Sequence, residues 1–114
     1  MSNTLLLENV IGRLTHGLLG LDIYVNEKVK TQYLEDFLTL DSQELQSALT
    51  STAPRYLVPD KCNLSVPEFV VLVGDIEQAK SVVKNLEEEK PAKIDAAVRI
   101  LKKSVHLLYG AYHT

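Results

Sequence analysis

The sequence predicts an all-α protein, a small helical bundle of four to five helices forming one domain over 1–114. It closes with a C-terminal antiparallel αα-hairpin at about 66–88 and 91–112. Three observations carry this reading. Apolar residues recur at alternating steps of three and four in both halves of the chain, a spacing that stays on one face of a helix and scatters across a strand. Helix-start signals precede two of these stretches, and Pro91 separates the last two. Hydrophobic residues make up 46% of the 114, enough for a core without disulfides or metals.

The first element rests on Leu7, Val10, Ile11, Leu14, Leu18 and Leu21, with Ser2 or Asn3 as the cap. Gly12, His16 and Gly20 lie four apart on one face of that helix. Glycine costs a helix interior about 1 kcal/mol, so its use here points to close approach by another backbone. The competing reading breaks the helix at Gly17 or Gly20 and makes Leu21 to Val25 a strand. Helix continuation is preferred, because a lone short strand needs a partner and only 56–58 and 69–73 offer one.

Tyr33 to Leu40 reads as a short helical piece, and Asp41-Ser42-Gln43-Glu44 as a capping signal for a helix to about Ser51. Thr52 to Leu64, with Pro54 and Pro59, is irregular. Ser65-Val66-Pro67-Glu68 then has capping-box form, and Phe69, Leu72, Ile76, Ala79, Val83 and Leu86 make an unbroken heptad seam. Pro91 suits the first turn of a new helix, whose seam is Ile94, Val98, Leu101, Val105, Leu108 and Tyr112. The acidic run Glu87-Glu88-Glu89 between them reads as a solvated turn.

Both C-terminal helices carry a second apolar stripe: Val66, Val70 and Val73 on the first, and Ala96, Ile100, Leu107 and Ala111 on the second. One stripe buries against one partner, so two stripes ask for two. Either the N-terminal half covers both, or another subunit covers one.

Composition narrows the function classes. The net charge is −3, with residues 1–60 acidic and 61–114 close to balanced. No apolar run is long enough for a membrane span: Leu5 to Val25 carries Glu8, Arg13, His16 and Asp22. Met1 to Leu7 lacks the basic start and clean apolar run of a signal peptide, so a cytoplasmic location is expected. The one cysteine, Cys62, has no ligand-spaced neighbour and reads as a packed small hydrophobe. The inward Glu-x-x-His pairs of a di-metal bundle, the glycine-rich phosphate loop and the Gly-x-Ser-x-Gly elbow are all missing from the sequence. His16 and His106 would have to face each other to ligate a haem; neither a cofactor nor a metal is expected.

Arg99-Ile-Leu-Lys-Lys-Ser-Val-His106, followed by Tyr109, resembles the arginine-spacer-histidine signature of HEPN ribonucleases, which are also small helical bundles. The resemblance covers eight residues and lacks the polar residue usual after the arginine. It would imply His106 assisting attack by a ribose 2′-hydroxyl and Arg99 stabilising phosphate charge. The seven-residue spacing puts the two on one face, two turns apart.

The function expected first is a non-catalytic helical interaction or assembly module. It would self-associate, as a homodimer, or dock a protein partner through Val66, Val70, Val73, Ala96, Ile100 and Leu107. The alternative is a nucleic-acid-associated helical protein with Lys93, Arg99, Lys102 and Lys103 toward phosphate.

Overall fold

The computed structural model describes the backbone of residues 3–47 and 66–112, and the side chains of 8–47 and 71–109. Over these residues every regular element is helical: α1 (Asn3–Glu27), α2 (Gln32–Leu38), α3 (from 42, described to 47), α4 (Val66–Lys84) and α5 (Pro91–Tyr112). A single 3-10 turn, Leu86–Glu88, joins the last two. The Ser65 cap, Cys62 and the 52–64 stretch lie outside the described residues, as do the side chains of Val66, Val70 and Ala111.

α1, α2, α4 and α5 each pack mainly on two of the others. α1 packs on α2 and α5, and α4 packs on α5 and, over a smaller area, α2. The bundle is therefore a ring in the order α1, α2, α4, α5. One continuous core fills it, with Leu14, Leu21, Phe37, Ile76 and Leu101 fully enclosed.

α1 runs unbroken through Gly17 and Gly20, so Leu21 to Val25 is helix and not strand. It stops at Lys28, whose φ of 58° is left-handed and whose N–H donates to the Tyr24 carbonyl at 2.8 Å. The close approach expected at the glycines is found at Gly20 and also at Gly17, but not at Gly12. A Cβ on Gly17 would sit 2.7 Å from the Phe37 ring, and one on Gly20 would sit 2.7 Å from the Leu34 side chain and 3.0 Å from its backbone nitrogen. Gly12 faces open space. The reason is angular: Gly17 and Gly20, three apart, share the face that meets α2, while Gly12 turns outward.

These environments predict opposite signs for one chemical change. Gly12→Ala is expected to stabilise by about 0.5–1 kcal/mol through helix propensity. Gly20→Ala gains the same propensity but forces Leu34 and its backbone apart, an overpacking cost of about 1–3 kcal/mol, so the variant should be the less stable of the two. Urea denaturation of both variants measures the split; equal midpoints would place α2 elsewhere on α1.

The corner between α2 and α3 is tied by a cap and an ion pair. Asp41 accepts from the Glu44 N–H at 2.6 Å, the N-cap role read for it. The Glu44 carboxylate does not reach back to complete a capping box; it takes the Arg13 guanidinium of α1 at 2.8 Å. Further along, Lys80 of α4 is 8% exposed and sits 3.7 Å from Glu77, which also accepts from the Ser42 hydroxyl of α3.

From Leu72 on, the α4 seam stands as read, with Leu72, Ile76, Ala79, Val83 and Leu86 buried; the side chain of Phe69 lies outside those described. The seam of α5 is rotated slightly. Its most enclosed line is Ile94, Ala97, Leu101, Ser104 and Leu108, while Val98 and Val105 are only half-buried. Small residues fall where α5 meets both α1 and α4, and the Ser104 hydroxyl is satisfied locally, donating to the Ile100 carbonyl at 2.7 Å.

Candidate functional site

The residues singled out in the sequence fall on two parts of α5. Ala96, Ile100 and Leu107, together with Val73 of α4, are half-buried; Val73, Ile100 and Leu107 pack partly on the core. The bundle itself thus covers part of the second stripe, because α5 lies between two helices. The rest borders a groove of about 240 Å³ on the outside of the α4–α5 hairpin. Apolar Ala79, Val82, Ala96, Ala97 and Ile100 line it together with polar Gln78 and Ser81 and charged Glu89 and Lys93.

Val71 stands seven residues, about two turns, before Gln78, which lines the groove, so the two share one side of α4. Val71 is 58% exposed, the largest value of any large hydrophobic among the described side chains. Sequence reasoning missed it, choosing Val70 and Val73 instead. Val71, Gln78 and Val82 stand at i, i+7 and i+11, a signal that was present but diluted by a run of three valines within four positions, 70–73.

Arg99, Lys102, Lys103 and His106 are all exposed, and Lys103, between Ile100 and Leu107 in the helical repeat, stands on the second stripe itself. Arg99 and His106 share one side of α5 but stand about 11 Å apart along the axis, two turns at about 5.4 Å each. Lys93 separates from this group and joins the groove lining.

A third constellation joins α1 to α2. His16 Nδ1 lies 3.3 Å from Asp36 Oδ2, and its ring meets Tyr33 at 5.1 Å between centroids, tilted by 47°. Gln32 Nε2 donates to the other Asp36 oxygen at 3.5 Å. A carboxylate on one imidazole nitrogen leaves the other turned outward, the geometry that orients acid–base and metal-binding histidines. Among the described residues no hydroxyl or thiol is hydrogen-bonded to His16, and no cluster of three or more His, Cys, Asp or Glu side chains could hold a metal ion. The pair fastens α2 onto α1. His16 is thereby directed at α2, and His106 lies on exposed α5.

A second groove, of about 410 Å³, lies between α2 and α4. Charged Lys30, Glu35 and Lys84 line it along with Leu34, Leu38 and Val83, and Lys30 is already paired with Glu87 at 3.0 Å. The Thr31 hydroxyl, also lining this groove, is buried and has no hydrogen-bond partner.

No family model, curated protein or solved structure matches this chain. Among the described residues no helix is long and apolar enough to cross a membrane.

Proposed function

We propose that this chain is a cytoplasmic, non-catalytic helical assembly module that pairs with a second copy of itself through the outer face of the α4–α5 hairpin. The observation that supports it is the groove there, lined among others by Val82, Ala96, Ala97 and Ile100 and continued along α4 by exposed Val71. Two such hairpins laid together make a four-helix layer, which buries what each leaves half-covered. The charges of the groove favour a second copy over an unrelated partner. They are one acid and one base, Glu89 and Lys93, so a two-fold arrangement sets each against its opposite on the other chain.

Light scattering across a dilution series tests this. The expected mass is twice that of the chain at high concentration, falling to one chain with Ile100→Asp. Because Ile100 is half-buried, Val71→Asp serves as the second variant; its exposure keeps the fold intact while placing a charge in the interface. A strict monomer at every concentration would overturn the reading, as would a dimer indifferent to Val71→Asp in a folded protein.

A further inference from the structure

We infer, on the self-association proposed above, that the two copies meet with their hairpin turns at the same end. α4 of each lies on α5 of the other, Asp75 is set against Lys103 across the interface, and salt controls the association. Lys103 is exposed and stands between Ile100 and Leu107, on the stripe that a second copy covers. Covering an ammonium without a counter-charge is strongly unfavourable, so an interface through this stripe has to bring a carboxylate to it.

The chain holds one at the matching place. Val71, Asp75, Gln78 and Val82 follow at steps of four, three and four, along one side of α4, and Gln78 and Val82 line the groove. On α5 the facing row is Lys93, Ala96, Ile100, Lys103 and Leu107, of which the first three line the same groove. Asp75 precedes the end of α4 at Lys84 by nine residues, and Lys103 follows the start of α5 at Pro91 by twelve. At about 1.5 Å per residue they stand about 14 and 18 Å from the turn, a difference that a lysine side chain spans. Glu89 and Lys93 make a second such pair close to the turn itself. Among the described residues neither Asp75 nor Lys103 joins an ion pair within the chain, so both charges are open to a second copy.

Two two-fold arrangements lay one hairpin face on another with the helices aligned. With the axis along the helices, α4 meets α5 of the other copy at equal height from the turn. That sets Asp75 against Lys103 and Glu89 against Lys93, each twice. With the axis across the helices, α5 meets α5 of the other copy running the opposite way. The single carboxylate of α5, Asp95, lies off the stripe, so Lys93 and Lys103 of both copies face no acid. Charge selects the first arrangement.

Light scattering of full-length charge-reversed variants, over a dilution series at low salt and at about 1 M, tests this. Lys103→Glu sets two carboxylates together and should weaken association by about tenfold or more, as should Asp75→Lys. Mixed in equal amounts, the two variants should pair with each other as the parent pairs with itself, because every mixed contact is again acid on base. Lys102→Glu makes the same charge change off the stripe and should leave association unchanged. At about 1 M salt, where the screening length is about 3 Å, the parent should weaken and the two repelling variants should recover. Lys103→Glu association equal to or stronger than the parent's would overturn the inference, the stronger being the result for α5 on α5. A mixture no tighter than its components would do the same. A parent monomeric at every concentration overturns the self-association as well, whereas a dimer broken by Val71→Asp but indifferent to Lys103→Glu overturns this orientation alone. Helical circular dichroism separates loss of association from loss of fold, and Lys103, being exposed, keeps the test open if Asp75→Lys does not fold.

Discussion

Phe37→Ala is expected to destabilise the fold by about 3–5 kcal/mol, the cost of deleting an enclosed aromatic and leaving its cavity. Phe37 is fully buried, and its ring lies in the space that Gly17 of α1 leaves by having no side chain. Two features make relaxation poor here. α2 is only seven residues long, so it has little helix of its own to hold it in place. The other side chain fixing it to α1, Leu34, is itself seated on Gly20. Small domains hold a total of about 5–15 kcal/mol, so the variant should unfold at much lower urea than the parent, read by circular dichroism. The coupling is directly measurable. Gly17→Ala in the parent should destabilise by overpacking, and in a Phe37→Leu background by less, because the ring that the methyl would meet at 2.7 Å is gone. Additive effects would show that ring and glycine do not touch.

Leu101→Ala should cost about 2–5 kcal/mol. Leu101 is fully enclosed on α5, the helix that packs on both α1 and α4, so its cavity would open between three elements. Ala97, one turn earlier, supplies the contrast. It is 1% exposed, and Ala97→Leu should lose about 1–3 kcal/mol from overpacking even though leucine suits a helix at least as well as most residues. Val98→Ala, at a half-buried site, should cost less than Leu101→Ala. If Val98 proved the more sensitive position and Ala97→Leu were neutral, α5 would be turned about its axis relative to the structure. Thermal or urea unfolding of these three variants decides the helix rotation without reference to function.

That rotation also shows where reading the sequence stops. Periodicity located α1, α2, the start of α3, α4 and α5, and the Asp41 cap was legible because its chemistry is local: one side chain and an N–H three residues on. The heptad pattern of α5 favoured Val98 and Val105, because apolarity alone scores valine above alanine and serine. The enclosed line instead includes Ala97 and Ser104. A helix contacted on two sides buries its small residues where the neighbours come closest, and sequence spacing carries no information on which neighbour that is.

The candidate surfaces divide in the same way. That Arg99 and His106 share one face follows from spacing, and so does the place of Lys103 on the stripe between Ile100 and Leu107. The assignment of Lys93 to the groove, the exposure of Val71 and the contact of His16 with Asp36 and Tyr33 do not. Each depends on residues distant in the chain, or on how far one helix is turned toward another.

The sequence by itself determined that this chain is helical, where most of the described helices lie, and that its last two form a hairpin with more apolar surface than a single seam uses. These properties are set by backbone hydrogen bonds and side-chain periods within a few residues. Only the tertiary structure decided that α1 passes unbroken beneath α2 on Gly17 and Gly20, that α5 is the helix shared between α1 and α4, and that part of its second stripe is absorbed by the core. Those outcomes depend on volumes meeting across the bundle. A missing Cβ is a defect in an isolated helix and a fitted space when Phe37 or Leu34 fills it.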